Sequence, residues 1–393
     1  MIEVTMNGPS REIPKIYVVG IGGAGNNAVE RMIEAGNENV DYLCINTELQ
    51  ILNKCKCEKT LQIGAKLTGG YGAGADPSIG EAAAEESKDT IKENLSDAKM
   101  VILTCGLGGG TGTGAVPVIA KTMKELGILT VAVVTLPFSF EGPARTLAAT
   151  NGLENLKSCV DTLIVVPNEK LLDISDKDLE LEDAFLLADA VLKNLIEGII
   201  DIIFYTGTVN IDLNDLRTTL KDKGLGHLGK SVATESKPLI EAVKEAIASP
   251  LLTTNIKGAT NILLNTSGKV KMKDVNEAIS YVRDIACENA QIIWGTVTNS
   301  SRYKEGESEV TLIATGLKDQ QVIPSKKNPP GNKNVSPRST ISYMSKSVVE
   351  FMEEMKKTQA ATITPKNIVV PSFLKNVDKK GTSGPLVIPS AKK

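Results

Sequence analysis

The 393-residue sequence predicts an α/β protein with a parallel-sheet domain, a long central helix, a smaller α+β domain and a disordered tail. Three observations predict this arrangement. Apolar strand-like runs alternate with helical patterns between Ile16 and Val166, which is typical of a parallel sheet. The stretch Leu181–Phe204 is apolar on nearly all sides, as expected of a helix buried between two layers. Residues 318–365 are polar, rich in Lys and Pro, and poor in large apolar side chains, which predicts disorder.

Composition and charge limit the class of protein. Apolar residues make up 41% and aromatic residues only 4%, so the core is expected to be aliphatic. Residues 318–393 carry 14 basic and 5 acidic residues, a net charge of +9, whereas residues 1–317 carry 30 basic and 42 acidic residues, a net charge of −12. An acidic body argues against nucleic acid as a partner.

The cysteines indicate a reducing compartment. Six cysteines are scattered over the chain, and the N-terminus has no apolar leader, so we expect free thiols in a cytoplasmic protein. Cys55 and Cys57 have the spacing of half a metal site, but His227 is the only histidine and no second pair exists, so no metal-ligating set is predicted. No run of 18 apolar residues occurs, and direct membrane insertion is therefore not expected.

The most informative stretch is the glycine loop at residues 99–114. A buried strand at residues 100–104 leads into Gly106, and five of residues 107–114 are glycine before a helix predicted at residues 113–126. Glycine permits positive φ and close approach of the backbone, so successive N–H groups can form an anion-binding nest, with Thr111 and Thr113 adding hydroxyl donors. The alternative is a flexible, unoccupied turn.

Two further glycine loops accompany it. A strand at residues 16–19 precedes Gly20–Gly25, which fits G-x-G-x-x-G, and helix 28–35 is predicted behind it. A strand at residues 42–45 leads to Glu48, the acidic residue that a dinucleotide site requires, so an NAD-dependent oxidoreductase is one alternative. A third loop at residues 67–77 precedes a helix predicted over residues 78–95. Three loops at one edge of a parallel sheet suit a polyphosphate better than a dinucleotide.

A second phosphate-like pattern is rejected. Residues 224–231 fit the P-loop pattern G-x-x-x-x-G-K-S, but the preceding residues 215–223 are polar and helical in pattern, whereas a P-loop follows a buried strand. We therefore predict no phosphate loop at these residues. Further strands are predicted at residues 129–136, 162–166, 262–265, 291–297 and 310–314, and further helices at residues 237–248 and 274–287.

Several segments resemble the tubulin/FtsZ family of filament-forming GTPases. They are GGGTGTG at residues 108–114, VGIGGAGNNAVERM at 19–32, CINTELQ at 44–50 and PFSFEG at 137–142 with Arg145. Glu48 stands where the family usually has Asp. The resemblance implies GTP or GDP as ligand, with Mg²⁺ across the phosphates. It places the following residues around the nucleotide: Gly22, Gly23, Ala24, Asn27, Ala73, Gly74, Ala75, Gly106, Gly108, Gly109, Gly110, Thr111, Gly112, Thr113, Glu141, Arg145, Asn168, Phe185 and Asp189.

The resemblance also implies roles for individual side chains. Glu141 is expected to accept from the ribose hydroxyls, with Arg145 facing ribose and phosphate; the alternative is that Glu141 caps a helix beginning at Pro143. Phe185 is expected to stack on a purine, and Asp189, four residues on, to accept from the N1–H and 2-amino groups of guanine. Adenine would leave that carboxylate unpaired. The alternative is that Asp189 lies on a solvated helix face.

The segment NIDLNDLR, residues 210–217, resembles the family's catalytic loop, which one subunit presents to the nucleotide of its neighbour. Asn210, Asp212 and Asp215 are the expected catalytic residues. The alternative is an N-cap at Asp212 and a favourable first-turn acid at Asp215. With the reaction centre divided in this way, hydrolysis is expected to require head-to-tail assembly into filaments, and the implied process is formation of the cell-division ring. A relative acting mainly as a filament scaffold with weak hydrolysis is a further alternative, because Gly226 and His227 also depart from the family pattern. The resemblance places a glycine-rich turn at residues 224–231 and implies a structural or interfacial role for His227 rather than a catalytic one.

The predicted organisation follows from these segments. It comprises a flexible arm (1–14), a GTP-binding domain (15–178), the central helix (179–206), an α+β activation domain (207–317) with the catalytic loop (207–217), a disordered linker (318–366), a partner-binding peptide (367–377) and a basic tail (378–393). A capping box at Ser347 and Glu350 predicts a short helix at residues 348–357. The segment around Pro371 and Leu374 resembles the peptide that docks membrane adaptors, which implies a location at mid-cell on the inner face of the membrane.

Overall fold

The computed structural model describes residues 14–174, 180–205, 207–297 and 306–317. The predictions for the linker, the short helix at 348–357, the peptide around Pro371 and Leu374 and the basic tail lie outside these residues, as does the predicted arm apart from Pro14. Within the described residues, no helix is both long and apolar enough to cross a membrane.

The first half of the chain alternates strands and helices. Its strands are β1 (Ile16–Ile21), β2 (Asp41–Asn46), β3 (Thr60–Gln62), β4 (Met100–Gly106), β5 (Leu129–Leu136) and β6 (Thr162–Pro167). Its helices are α1 (Gly22–Glu34), α2 (Leu49–Lys54), α3 (Ala65–Thr68), α4 (Pro77–Glu86), α5 (Lys88–Leu95), α6 (Thr111–Glu125), α7 (Pro143–Lys157) and α8 (Glu169–Ile174).

These strands form a parallel sheet in the order β3-β2-β1-β4-β5-β6. Every residue of β1 and β5 is buried, which explains their continuous apolar character. The core on this part of the sheet is aliphatic, as the low aromatic content predicted. Because β1 lies between β2 and β4, the chain reverses its direction of winding at β1, and the loops after β1 and β4 border the crevice where parallel sheets bind ligands.

Helix α9 (Leu181–Phe204) has the bounds that the sequence predicted and is buried along most of its 24 residues. Gly198 on α9 allows the side chain of Lys230 to lie against the helix, because an added Cβ would come within 3.0 Å of Lys230 Cδ. The Lys230 ammonium group pairs with Glu309 at 3.1 Å in the interior. The charges of Glu309 and Asp201 hold the pKa of Lys230 above its usual range despite its burial.

The second half adds a mixed sheet with its own core. Its elements are α10 (Leu213–Leu220), β7 (Gly224–Ala233), α11 (Leu239–Ile247), β8 (Asn261–Gly268), α12 (Met272–Ile285), β9 (Gln291–Val297) and β10 (Ser308–Thr315). The strand order is β7-β10-β8-β9, with β10 antiparallel to both neighbours and β8 parallel to β9. Two residue pairs between β6 and β7 join this sheet to the parallel one. Helices α11 and α12 pack on a separate aliphatic core.

Three elements differ from the sequence-based predictions. Helix α1 begins at Gly22 rather than at residue 28, so the glycine turn is itself the first helical turn. The helix predicted at residues 78–95 is two helices that meet at Ser87, whose hydroxyl accepts from Gly64 N at 3.0 Å. Residues 224–231, predicted as a turn, belong to strand β7. Glycine is uncommon in strands, so Gly229 made the sequence look like a turn. The strand has glycine here because an added Cβ would lie 1.8 Å from Ala246 O.

The P-loop pattern within β7 is accordingly not a phosphate loop. His227 is fully buried, and its ring nitrogens contact Thr254 O at 3.0 Å and Ala246 O at 3.1 Å. Burial lowers the pKa of His227. Of the two roles predicted for this histidine, structural or interfacial, its burial within the chain supports the structural one.

Candidate functional site

The three glycine loops predicted from the sequence meet at one edge of the parallel sheet. Gly22, after β1, lies against the loop after β4: a Cβ on Gly22 would come within 3.0 Å of Gly112 N. The loop before α4 joins them, because a Cβ on Gly110 would lie 2.8 Å from Ala73 Cβ and 2.9 Å from Asp76 N. Backbone segments this close tolerate only glycine at these positions, so the loops form one continuous concave rim.

Two helices begin at this rim without side-chain caps. Helices α1 and α6 have neither a side-chain hydrogen bond at the N-cap nor an acidic residue in the first turn. Their N-terminal N–H groups and helix dipoles therefore favour an anion at the crevice between β1 and β4. Helix α4 differs, because Asp76 caps it by accepting from Ser78 N at 2.9 Å.

Buried polar side chains hold the rim in shape. Thr47 Oγ1 and Thr111 Oγ1 are hydrogen-bonded at 2.7 Å, which connects the end of β2 to the start of α6. Thr113 Oγ1 accepts from Gly108 N at 2.8 Å and is 2% exposed. Thr113 therefore stabilises the loop from within. Its buried position does not favour the predicted role of its hydroxyl as a donor to phosphate. Asn46 donates to Asn26 Oδ1 at 2.8 Å and fixes the first turn of α1.

Other predicted residues face open space. Gly23, Gly74 and Gly109 have no atom within 4 Å of an added Cβ. Ala24, Asn27 and Ala75 are exposed, and Ala75 adopts a left-handed φ of 62°. Gly106 packs against α1, because an added Cβ would lie 2.9 Å from Ala24 Cβ. The rim thus presents backbone and small side chains to a ligand.

The segment after β5 contributes a charged pair and two aromatic rings. Glu141 accepts from Phe138 N at 2.8 Å and from Arg145 Nη1, so both carboxylate oxygens have partners within the chain. Helix α7 does begin at Pro143, but its N-cap is Gly142, without a side-chain bond, so the alternative that Glu141 caps α7 is wrong. Contact of Glu141 and Arg145 with a ribose stays a prediction.

An aromatic cluster lies beside this segment. Phe138 and Phe140 are stacked with ring centroids 5.0 Å apart, and Phe185 on α9 meets Phe138 edge-on at 5.6 Å. Phe185 is 38% exposed and offers a ring surface for stacking. Asn168, at the end of β6, has a buried Oδ1 that no described group satisfies. A buried acceptor without a donor costs free energy, and a ligand hydroxyl or N–H group would remove that cost.

Asp189, one turn after Phe185, is 7% exposed, so the alternative of a solvated helix face is wrong. Its Oδ2 lies 3.3 Å from Arg31 Nε on α1. Burial raises the pKa of Asp189 to about 6, and the positive charge of Arg31 limits the rise. A buried carboxylate at this position can accept from paired N–H donors such as those of guanine.

The loop at residues 207–217 carries the predicted catalytic carboxylates. Asp212 is the N-cap of α10: its Oδ1 accepts from Asn214 N at 2.8 Å and from Asp215 N at 2.9 Å. Asp215 Oδ2 accepts from Asp212 N at 3.0 Å, which completes a capping box. Asn210 Oδ1 accepts from Gly207 N at 2.6 Å. The capping interpretation is therefore confirmed, and it leaves a second oxygen on each carboxylate for other partners.

This loop lies at the opposite end of the sheet from the glycine rim. Arg217 donates to Gly127 O at 3.0 Å, and Gly127 follows the C-terminus of α6, whose N-terminus is in the rim. The 15 residues of α6 span about 22 Å at ~1.5 Å per residue. Helix α9 separates the two regions in the same way, because Phe185 lies near its start and the loop at residues 207–217 follows its end. One chain therefore does not bring Asp212 and Asp215 to its own rim.

The sequence did not indicate Arg31 and Thr47, whose partners at the site lie far along the chain. Arg31 and Asp189 are 158 residues apart, and Thr47 and Thr111 are 64 apart. Both Arg31 and Thr47 lie inside segments that resemble the family, but no local pattern predicts which residue each contacts. The contact of Arg217 with Gly127 could not be predicted from the sequence for the same reason.

Comparisons with known proteins agree with this geometry. The model of the Tubulin/FtsZ family GTPase domain matches residues 15–176, and that of the FtsZ family C-terminal domain matches residues 224–318. FtsZ from M. jannaschii, solved as an empty dimer, is 43% identical with a TM-score of 0.72, over 78% of this chain and 89% of that one.

More distant structures share the fold. CetZ2 from Haloferax volcanii, solved as a GTPγS-bound protofilament, is 19% identical with a TM-score of 0.67, over 89% of this chain and 100% of that one. CetZ1 from the same organism, solved as a GDP-bound monomer, is 21% identical with a TM-score of 0.68, over 78% and 95%. The two family matches, the identity to FtsZ and the arrangement of the rim lead to one conclusion: the chain belongs to the tubulin/FtsZ family of GTPases.

Proposed function

We propose that this protein is an FtsZ-type GTPase that polymerises head to tail, with each GTP hydrolysed at the interface between two subunits. The observation that carries the proposal is the separation of the glycine rim from the loop that holds Asp212 and Asp215. The rim suits phosphates but its uncapped helices carry no first-turn carboxylate, and the carboxylate loop has no phosphate cradle. Stacking one copy on the next would bring the two together.

The proposed chemistry divides between the two subunits. Backbone N–H groups of residues 108–112 in one subunit bind the phosphates and stabilise the charge that develops during phosphoryl transfer. Asp212 and Asp215 of the next subunit orient and polarise the attacking water. Both acids use one oxygen for the capping box, so the cap fixes the geometry of the oxygens that remain.

Mg²⁺ is the expected companion of the nucleotide. Within the described residues, no group of three or more His, Cys, Asp or Glu side chains is arranged to hold a metal. This fits an ion held mainly by phosphate oxygens and water, with few protein ligands. When bound, Mg²⁺ would neutralise phosphate charge.

The purine end supports guanine as the base. Asp189 is a buried acceptor beside the exposed ring of Phe185, and Asn168 offers a buried acceptor to the nucleoside. Guanine presents two adjacent N–H donors to a carboxylate, whereas adenine presents an acceptor at N1 and no 2-amino group. The family assignment also removes the basis for the NAD-dependent alternative, which depended on residues 20–25 and on Glu48.

An interface between a rim and a carboxylate loop is heterologous, and repetition of such an interface produces open filaments. The relatives described above include an FtsZ dimer and a CetZ2 protofilament. We extend filament formation to this chain on the strength of the divided site. The 43% identity to FtsZ, against 19–21% to the CetZ proteins, favours the cell-division ring as the cellular role.

The cellular part of the proposal includes a cytoplasmic location at mid-cell, on the inner face of the membrane. Adaptor or division-regulator proteins would bind the segment around Pro371 and Leu374. A fluorescent fusion of the full chain should form a mid-cell ring, and deletion of residues 367–377 should disperse the ring without stopping GTP turnover in vitro. Diffuse fluorescence of the full chain in dividing cells would contradict this role.

The scaffold alternative with weak hydrolysis has little structural support. Two of the three departures that suggested it, Gly226 and His227, lie buried in β7, and Gly226 packs against Thr162. Only Glu48 remains, and it follows the Asn46–Thr47 segment at the rim. Active hydrolysis is therefore the function that we favour.

Two experiments test the proposal. GTP turnover per subunit should rise steeply with protein concentration, and turnover that stays constant from the lowest concentrations would contradict assembly-dependent hydrolysis. In the second, Gly109→Val, which blocks the rim, is mixed with Asp212→Asn, which removes a catalytic charge. At a GTP concentration that saturates the wild-type rim but lies well below the dissociation constant of Gly109→Val, each variant alone should have low turnover. The mixture should regain turnover at interfaces that pair the intact rim of one variant with the intact loop of the other. A mixture as inactive as its components would refute the divided site.

A further inference from the structure

Helix α10, which begins at the capping box of Asp212 and Asp215, is held in place from its other end. The helix has only eight residues, and the capping box fixes the two carboxylates relative to the helix itself. The direction in which they leave the surface therefore depends on how α10 is attached to the rest of the chain. The hydrogen bonds that attach its C-terminal end come from both sheets and from α6.

The last carbonyl groups of α10 accept hydrogen bonds from two strands. Thr162 Oγ1, in β6, donates to Leu220 O, and Thr315 Oγ1, in β10, donates to Thr219 O. Both of these strand threonines are fully buried. Because the final carbonyls of a helix have no partner within it, these bonds satisfy them and attach α10 to the sheets at the same time.

Asp161, the residue before β6, binds the segment that leaves α10. Its Oδ1 accepts from Asp222 N at 3.2 Å, and its carbonyl oxygen accepts from Lys223 N at 2.8 Å and Gly224 N at 2.9 Å. Its Oδ2 accepts from Thr130 N, in β5, at 2.8 Å. One residue that is 2% exposed therefore joins the end of α10 to the parallel sheet.

Lys124, near the C-terminus of α6, completes the attachment. Its Nζ lies 2.6 Å from Asp222 Oδ1 and 3.6 Å from Asp161 Oδ1. Asp222 adopts a left-handed φ of 53°, which is uncommon for residues other than glycine. The hydrogen bond from Lys124 lowers the pKa of Asp222, as expected of an ion pair. The bond from Arg217 to Gly127 O adds a second contact between α10 and this end of α6.

We propose that Lys124 and Asp161 are positioning residues for GTP hydrolysis, which hold α10 so that Asp212 and Asp215 meet the rim of the next subunit. This inference rests on the divided site proposed above. Lys124 lies 13 residues after the start of α6 at the rim, or about 20 Å along the helix at ~1.5 Å per residue. Its effect on hydrolysis therefore passes through the carboxylate loop. Misplacing a reacting group by about 1 Å can lower a rate by roughly 100-fold.

The first measurement compares Lys124→Gln and Asp161→Asn with the wild-type chain. Each substitution removes one charge at nearly constant size. GTP turnover should fall by about 10–100-fold, whereas the affinity for GTP should keep its wild-type value because the rim is unchanged. Glu125→Gln is the matched control, since Glu125 follows Lys124 on α6 but lies 3.9 Å from Lys88, and its turnover should be unchanged. The side chain of Lys124 is 35% exposed, so Lys124→Gln should fold even if Asp161→Asn does not.

The second measurement finds which side of the interface has lost its function. Lys124→Gln is mixed with Gly109→Val at the GTP concentration described above for the mixture with Asp212→Asn. Turnover should exceed the average of the two components, because Gly109→Val supplies an intact loop to the intact rim of Lys124→Gln. The mixture of Lys124→Gln with Asp212→Asn should not exceed its average, because both variants have a defective loop. A purely structural defect would give recovery in neither mixture.

Three results would overturn the inference. The first is wild-type turnover in Lys124→Gln or in folded Asp161→Asn. The second is no recovery of Lys124→Gln with Gly109→Val, and the third is recovery with Asp212→Asn. The reference mixture of Gly109→Val with Asp212→Asn separates these results from a failure of the proposed function. If the reference mixture also stays inactive, the divided site is wrong and the positioning role is refuted with it.

Discussion

The glycine rim and the carboxylate loop contrast in how each prepares a reaction. The rim at residues 20–27, 69–76 and 106–114 presents backbone N–H groups from uncapped helices, and its glycines let three chain segments touch. The loop at residues 207–217 presents carboxylates, and a capping box satisfies its own helix terminus. One region leaves its helix termini without side-chain caps, whereas the other caps its terminus with the carboxylates that we propose for catalysis.

The contrast teaches where charge can be placed in a phosphate-transfer site. A carboxylate in the first turn of α1 or α6 would repel the phosphates that we propose these helix termini bind. In the proposed filament, a carboxylate on a separate surface would avoid this repulsion until two subunits meet. The separation of the regions therefore has an electrostatic reason, and variants of each region can test it separately.

The largest expected effect is on turnover at the carboxylate loop. Asp212→Asn keeps a good N-cap residue while removing the charge, so α10 should stay folded. We expect GTP turnover to fall by about 100–1,000-fold, the usual cost of losing a group that stabilises the transition state, with GTP binding retained. Phosphate release and nucleotide binding measure the two quantities. Glu241→Gln, an exposed change of equal charge on α11, is the control and should leave turnover unchanged. Unaltered turnover in Asp212→Asn would remove Asp212 from the mechanism.

The next effect concerns binding at the rim. Gly109 has open space around an added Cβ and no left-handed φ, so Gly109→Val should fold normally. Its side chain should occupy space that phosphates need and weaken GTP binding by roughly 10–100-fold, or about 1–3 kcal/mol. Equilibrium binding measures the affinity, and circular dichroism the fold. Gly20→Ala is the opposite case, because its Cβ would lie 2.3 Å from Gly25 O and should destabilise the protein itself. Wild-type affinity in Gly109→Val would place the phosphates elsewhere.

A smaller effect is expected for base selection. Asp189→Asn replaces a carboxylate, which accepts two hydrogen bonds, by an amide with one acceptor and one donor. The affinity of the protein for GTP should therefore fall by about tenfold, and the ratio of its affinities for GTP and ATP should decrease. Competition binding with GTP, inosine triphosphate and ATP measures this preference. Asp183→Asn, on the first turn of the same helix, is the matched control. If the preference for GTP survives intact in Asp189→Asn, guanine is recognised by other groups.

A further effect, which does not involve the nucleotide, concerns the pH dependence of stability. The pKa of Asp189 is raised from 3.8 to about 6, so between these values the folded chain binds more protons at this group than the unfolded chain does. The free energy of unfolding should therefore fall as pH rises from about 4 to 6, by roughly 1–3 kcal/mol from this group, and level off above pH 6. Asp189→Asn should remove that contribution. Urea unfolding at several pH values gives the free energy of unfolding of the wild-type chain and of Asp189→Asn. If this free energy depends on pH in the same way in both chains, Asp189 does not cause the effect.

Several parts of the fold were predictable because their signals are local. The bounds of β5, α9 and β9 match the sequence-based ranges. Long, largely apolar runs identify the buried strand β5 and the buried helix α9. The helix break at Ser87 and the strand β7 were not predictable. Ser87 interrupts the helix where it bonds Gly64, and Gly229 in β7 is required by the distant α11.

The sequence by itself determined the glycine loops, the capping box at residues 212–215 and the alternation of strands and helices. These depend on backbone freedom and on hydrogen bonds between residues a few positions apart. Only the tertiary structure decided that Gly22 meets Gly112, that Arg31 reaches Asp189 and that Arg217 ties the carboxylate loop to the far end of the sheet. The physical reason is that packing selects partners across many residues, whereas local patterns specify only the shape of each segment.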